Sequence, residues 1–117
     1  MLFKVKDFDG IQVILSNNTW YNKLLNPIFG HPEVKSFFSK IKKTVKEPEY
    51  VFQSMRNPSS KLLFSRISYG LFTSYYLCVV IKYINIKDQT VGYVSTVMIN
   101  RKLPKTSKLL WERKALI

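Results

Sequence analysis

Apolar residues along this chain follow a short rhythm, then a long one, then a short one again. Phe3 and Val5, then Ile11, Val13 and Leu15, alternate with polar residues on either side of Asp9-Gly10. That period of two predicts a pair of short strands joined by a turn. The spacing then lengthens to three and four. Ser16 is placed to cap a helix through Trp20, Leu24 and Leu25, with Asn26-Pro27 and Gly30 ending it. His31-Pro32-Glu33 opens a second helix, because Pro suits the first helical position and Glu33 suits the positive end of the dipole. Val34, Phe37, Phe38, Ile41 and Val45 make its apolar face, ringed by Lys35, Lys40, Lys42, Lys43 and Lys46. Pro48 closes it.

Beyond Pro48 the pattern is that of strands. The segments Tyr50–Met55, Leu62–Ser68, Ser74–Ile84, Val91–Ile99 and Leu109–Arg113 are rich in β-branched and aromatic residues. Asn57-Pro58-Ser59-Ser60, Tyr69-Gly70 and Lys87-Asp88-Gln89 supply turns between them. Short connections predict an antiparallel meander. The expected fold is therefore α+β: two N-terminal helices packed on one face of a twisted antiparallel sheet, in one domain spanning 1–117. A basic tail is expected from about residue 101.

Alternation assigns the two sheet faces. Odd positions are mostly large and apolar: Leu63, Ile67, Tyr75, Leu77, Val79, Ile81, Val91, Tyr93, Val97 and Ile99. They are expected to meet the helices. Even positions are mixed: Phe64, Arg66, Ser68, Tyr76, Cys78, Val80, Lys82, Val94, Thr96 and Met98. They are expected to form a partly open face. Arg66 and Lys82 sit inside apolar strands with no acid in either strand, so each needs water or an anionic partner.

Charge sharpens that reading. The chain carries 19 Lys and Arg against 7 Asp and Glu, a net +12. Residues 1–49 hold eight basic and five acidic residues; residues 50–117 hold eleven and two. Such an excess favours a polyanionic partner or a solvated basic surface. At 15% aromatic and 46% hydrophobic, 117 residues suffice for one buried core. The single cysteine, Cys78, excludes an intrachain disulfide and reads as a buried, inert thiol. No Gly-rich phosphate loop, paired-carboxylate site or metal-ligand cluster is present in the sequence, so no metal or cofactor is expected. The longest apolar stretches fall short of a membrane span and the N-terminus lacks the form of a signal peptide. A cytoplasmic protein without a membrane partner is expected.

In order along the chain stand Trp20, His31-Pro32-Glu33, Pro48-Glu49-Tyr50-Val51, Phe64-Ser65-Arg66, Val79-Val80-Ile81-Lys82 and Gly92-Tyr93-Val94-Ser95-Thr96. Together they resemble the phage-associated barnase/EndoU/colicin/RelE-like (BECR-fold) nucleases over nearly the whole chain. The resemblance implies a sheet curved around an RNA-binding cleft and metal-independent cleavage of RNA. It places Arg66, Lys82 and Thr96 where that family's polar active-site residues fall. Members often carry a His just after the Trp; here the nearest position is Asn22, and the only His is His31.

Metal-independent cleavage uses the substrate's own 2′-hydroxyl as nucleophile, and the protein supplies a base, an acid and cations. Arg66 and Lys82 suit the phosphate, Thr96 a non-bridging oxygen, and His31 acid–base work. Tyr76 and Tyr69 are candidate stacking surfaces, and Ser68, Asn22, Arg101 and Lys102 candidate RNA contacts. Lys105, Lys108, Arg113 and Lys114 extend the basic tail. The implied partners are RNA and, for a toxin, an acidic antitoxin or immunity protein. The alternative is an RNA- or protein-binding module of the same fold with catalysis weakened, which Asn22 favours.

Overall fold

The computed structural model describes residues 2–28 and 30–113. Strands β1 (Phe3–Lys6) and β2 (Gln12–Leu15) form the expected hairpin, with Phe3 opposite Leu15. Asp7 shapes its turn. One carboxylate oxygen accepts the backbone N–H of Asp9 at 2.8 Å and of Ile11 at 2.9 Å. Gly10 supplies the left-handed residue, at φ 79°.

Among the described residues only one helical stretch of any length forms, not two. Six residues of 3₁₀ helix, Pro32–Phe37, continue directly into the nine-residue α1, Phe38–Lys46. Its expected apolar face holds: Val34, Ile41 and Val45 are fully buried and Phe37 nearly so. The first expected helix shrinks to a π-helical segment, Thr19–Leu24, in which the Leu25 N–H reaches back five residues to the Trp20 carbonyl. Asn17, Asn18 and Thr19 are weak helix formers and Asn26-Pro27 stops the chain soon afterwards. The segment is too short to repay nucleation as an ordinary α-helix.

The remaining strands are β3 (Tyr50–Gln53), β4 (Ser60–Arg66), β5 (Tyr76–Ile86), β6 (Gln89–Asn100) and β7 (Leu109–Glu112). Strands β3 to β6 form the expected antiparallel meander. Lys87 and Asp88, at φ 50° and 65°, make the two-residue turn between β5 and β6. The whole sheet is mixed, however, in the order β1-β2-β6-β5-β4-β3-β7, because β2 lies parallel to β6. The expected basic tail is not a tail. Residues 101–108 cross over the sheet from β6, and β7 then closes the far edge beside β3. Lys114 lies outside the described residues.

The sheet curls around α1. The Phe8 ring, in the β1–β2 turn at one edge, lies 5.5 Å from the Trp111 ring in β7 at the other edge. Inside the curl, Leu63, Ile67, Leu77, Val79, Ile81 and Val97 pack with Trp20, Leu24, Ile41 and Val45 as one core. At about 1.5–3 kcal/mol for each fully buried aliphatic or aromatic side chain, this inner face dominates the folding energy.

The expected alternation fails at one point, in β6. Thr96 pairs with Val80 but Val94 pairs with Ile81, so Ser95 is an extra, unpaired residue. The bulge inverts the two faces of the strand before it. Val94 turns inward and is 3% exposed, whereas Tyr93 turns outward opposite Lys82. Val91, also expected inside, sits opposite Ile84 and outside the core cluster. Gly92 fills the inward position, where a Cβ would come within 2.9 Å of Ile81 and 3.0 Å of Val13 and Tyr83. The missing side chain is what lets β2 pair with β6 at Val13 and Gly92. No helix among the described residues is long and apolar enough to cross a membrane.

One polar contact ties the β1–β2 turn to β5. The Tyr83 hydroxyl donates to the second Asp7 oxygen at 2.6 Å. Burial first, and then this bond and the Asp7 charge, push the Tyr83 pKa well above its ordinary 10.0. The unfolded chain therefore loses this proton first, and stability falls as pH rises past about 10. Tyr83→Phe should cost about 1–2 kcal/mol at pH 7 in urea unfolding. It should also flatten the alkaline loss; an unchanged slope above pH 10 in the variant would refute the assignment.

Candidate functional site

The outer face, away from α1, is built in rows across the strands. Tyr50, Phe64, Cys78 and Met98 form one row. Phe52, Leu62, Val80 and Thr96 form the next, and Ser60, Lys82 and Tyr93 the one beyond it. On the opposite side of the aromatic row stand Arg66, Tyr76 and Asn100.

The middle rows hide themselves. Phe52, Phe64 and Cys78 are buried beneath Tyr50, Tyr76, Met98 and, from the crossover, Leu103. The Phe64 ring stands edge-on to Phe52 at 5.6 Å and to Tyr76 at 6.3 Å. Burial pushes the Cys78 thiol up to about 12, which makes it the inert thiol expected.

A cleft of about 550 Å³ opens between the outer face and two walls. Leu62, Val80, Thr96 and Met98 form its floor. One wall is the loop 54–59, the other the crossover with Pro104 and Ser107. The loop is fixed by its own polar groups. Gln53 Nε2 donates to the Ser60 carbonyl at 3.0 Å, and Asn57 Oδ1 accepts the Ser59 N–H at 2.9 Å. The walls meet where the Thr106 hydroxyl lies 3.2 Å from Met55 Sδ. Arg56 is exposed at the cleft wall, a cation that nothing in the sequence marks, because its neighbours signal only a turn.

The structure sorts the expected site residues into two groups. Thr96 and Lys82 come together: Thr96 is opposite Val80, two residues from Lys82 on the same face. Such diagonal pairs lie about 7–8 Å apart. Arg66 shares their face but not their place. It is six residues from Ser60, the partner of Lys82, which puts it about 20 Å away along the strands. Arg66 and Lys82, which the family resemblance places together, do not converge, although β4 and β5 pair even positions with even ones. Ser68 is exposed just beyond Arg66, and Arg101 and Lys102 are exposed just beyond Asn100 at the same end. There Arg101 donates to the Tyr75 hydroxyl at 3.1 Å and stacks on its ring. Tyr76 is half-buried in the aromatic row rather than presented as a platform.

Arg66 instead borders a smaller cavity of about 100 Å³ with Lys40, Lys43, Glu47, Glu49 and Arg113. The Glu49 carboxylate accepts the Arg66 backbone N–H, and the Glu47 carbonyl accepts Arg113. Burial lowers the Lys40 pKa, against the pull of Glu49 and with the help of Lys43. Two carboxylates among these cations leave that end a mixed cluster rather than an anion site.

The segment that carries His31 and Asn22 is tethered to β6. Lys23 donates its ammonium to the carbonyl of the bulged Ser95, and the His31 N–H bonds to the Leu24 carbonyl at 2.7 Å. Strand β2 pairs with β6 only at Gly92 and Tyr93, so this segment occupies the edge that β2 leaves open. The His31 side chain does not cap the helix it precedes; its Nδ1 lies 3.4 Å from Glu33. Asn22 is exposed and bonded to Asn18 at 2.7 Å. Among the described residues, no three His, Cys, Asp or Glu side chains gather as metal ligands.

Compared with known family models, with curated proteins and with solved structures, the chain matches none.

The roof over the aromatic row is directly testable. Iodoacetamide should alkylate Cys78 in the native protein at least about a hundredfold more slowly than in denaturant. Leu103→Ala should speed native labelling by lifting the crossover's one apolar contact with that cluster. Labelling at the rate of a free thiol would show that the outer face is open there.

Proposed function

We propose that this chain is a metal-independent endoribonuclease acting at the outer-face cleft. The observation that carries the reading is Thr96 in the floor of a cleft large enough for a nucleotide, with Lys82 exposed on the adjoining row of the same face and no acid on either row. Among the described residues, the one carboxylate on the rows of the outer face is Glu112, beside Tyr50 at the far edge. Lys82 is exposed, and no salt bridge holds it among the described residues.

The reaction follows from substrate chemistry. The 2′-oxygen attacks the adjacent phosphorus and its proton passes to a base; the 5′-oxygen leaves and takes a proton. The products are a 2′,3′-cyclic phosphate and a 5′-hydroxyl. Lys82 stabilises the charge that grows on the phosphorane. The Thr96 hydroxyl donates to a non-bridging oxygen. His31, on the segment tethered to β6, is the acid–base group of this reading. Arg66, Arg101 and Lys102 grip the RNA backbone at the other end of the strands rather than the reacting phosphate. A toxin of this kind needs an acidic antitoxin or immunity protein, and the basic outer face is the surface it would cover.

A binding module of the same fold is the second reading, favoured by Asn22, whose amide is spent on Asn18. Cleavage of a mixed RNA pool in EDTA separates the two. Wild type should cleave and leave cyclic phosphate ends. Lys82→Ala should lose about a hundredfold in kcat/KM and Thr96→Val about tenfold. Arg66→Ala should lose about threefold, through binding alone. Abolition by EDTA, or a larger loss at Arg66 than at Lys82, would overturn the mechanism; salt-sensitive binding without cleavage would establish the module.

A further inference from the structure

We infer that Tyr93 is the platform on which an unpaired base of the bound RNA stacks, an inference that rests on the RNA reading above. Three observations meet at this residue. The bulge at Ser95 turns Tyr93 to the outer face, directly opposite Lys82. On its other side Tyr93 faces Ile14, and Ile14 faces Lys4. The row across the sheet is thus Lys82, Tyr93, Ile14, Lys4. Strands are spaced about 4.8 Å apart, so the two lysines stand about 14 Å apart with the aromatic ring between them.

The ring is also available. Tyr93 is 36% exposed, and no other ring packs against it among the described residues. The aromatics favoured by sequence are engaged elsewhere: Tyr76 stands edge-on to Phe64, and Tyr69 lies 5.9 Å from Phe37. Tyr21 is exposed too, but it stands on the π-helical segment rather than in a row with cations.

The chemistry of this row selects a single strand. A base can lie flat on a tyrosine only when it is not stacked within a duplex, and stacking tolerates any base. Lysines on both sides hold the phosphates that flank it without reading sequence. Tyr93 precedes Thr96 by three residues, and Lys82 is opposite Tyr93. The base on the platform is therefore adjacent to the phosphate at Lys82 and Thr96. Tyr93 fixes which bond is presented; it positions the substrate and takes no part in proton transfer.

The test uses a short 2′-O-methyl RNA, which cannot be cleaved, carrying 2-aminopurine and a fluorescein label. Wild type should bind it and quench the 2-aminopurine. Tyr93→Leu keeps apolar bulk but removes the aromatic face; it should weaken binding on the order of tenfold and abolish the quench. Tyr93→Phe should stay within about twofold, with the quench retained. The salt dependence of binding should be unchanged in Tyr93→Leu and should drop by about one ion in Lys82→Ala and in Lys4→Ala. Thermal unfolding of each variant checks the fold. Tyr93→Leu binding as wild type does, while Lys82→Ala binds more weakly, overturns the platform and leaves the RNA reading standing. The platform pattern in a protein that cleaves no RNA supports the platform and removes the enzyme reading. No oligonucleotide binding by wild type at low salt overturns both, and a protein partner then takes the face.

Discussion

A seven-stranded sheet has two faces to keep from water, and here fifteen consecutive residues of helix must serve for the larger part. That shortage organises the molecule. The helix covers one face only if the sheet curls around it, which brings Phe8 at one edge against Trp111 at the other. With the helix spent inside, the outer face must be shielded by its own aromatics and by a crossover that carries no helix. Eight residues cannot blanket four strands. They cover the aromatic row and leave the neighbouring rows open, and the cleft is that remainder.

Electrostatics follow the same division. Where the outer face is covered its strand residues are apolar, and the cations on its strands lie at the two ends. At one end Arg66 lies among carboxylates and other cations, so its charge is shared. At the other, Lys82 and Lys4 stand in a row with no acid. A polyanion would find the second end better matched, even though the guanidinium of Arg66 is the stronger phosphate ligand in isolation. Position in the sheet outweighs side-chain type here.

Much of this was legible in the sequence because period-two and period-three-to-four patterns report local geometry. The five later strands, the apolar face of α1, the buried Cys78 and the even-to-even pairing of β4 with β5 all follow from it. Three features do not. Alternation runs smoothly through Gly92–Met98 in the sequence, so the extra residue at Ser95 leaves no trace, and alternation assigns Tyr93 and Val94 to each other's faces. The parallel pairing of β2 with β6 depends on close approach at Gly92, a contact between residues far apart in the chain. Parity also carries no information on separation along a strand: it places Arg66 on the face of Lys82, but the register sets them six residues apart. For the candidate site, sequence points to Lys82 and Thr96; it does not mark Arg56, which carries no motif, and parity turns Tyr93 to the wrong face.

The strand order has a further consequence, for assembly. Strands β3 to β6 each pair with a neighbour in sequence, so that meander can form from short loops. Strand β7 has no such neighbour. Its partner β3 is more than fifty residues earlier, and the chain must first traverse three finished strands to reach it. Non-local pairings repay their loop entropy late. The cleft, whose wall is that traverse, is accordingly among the last parts of the molecule to exist.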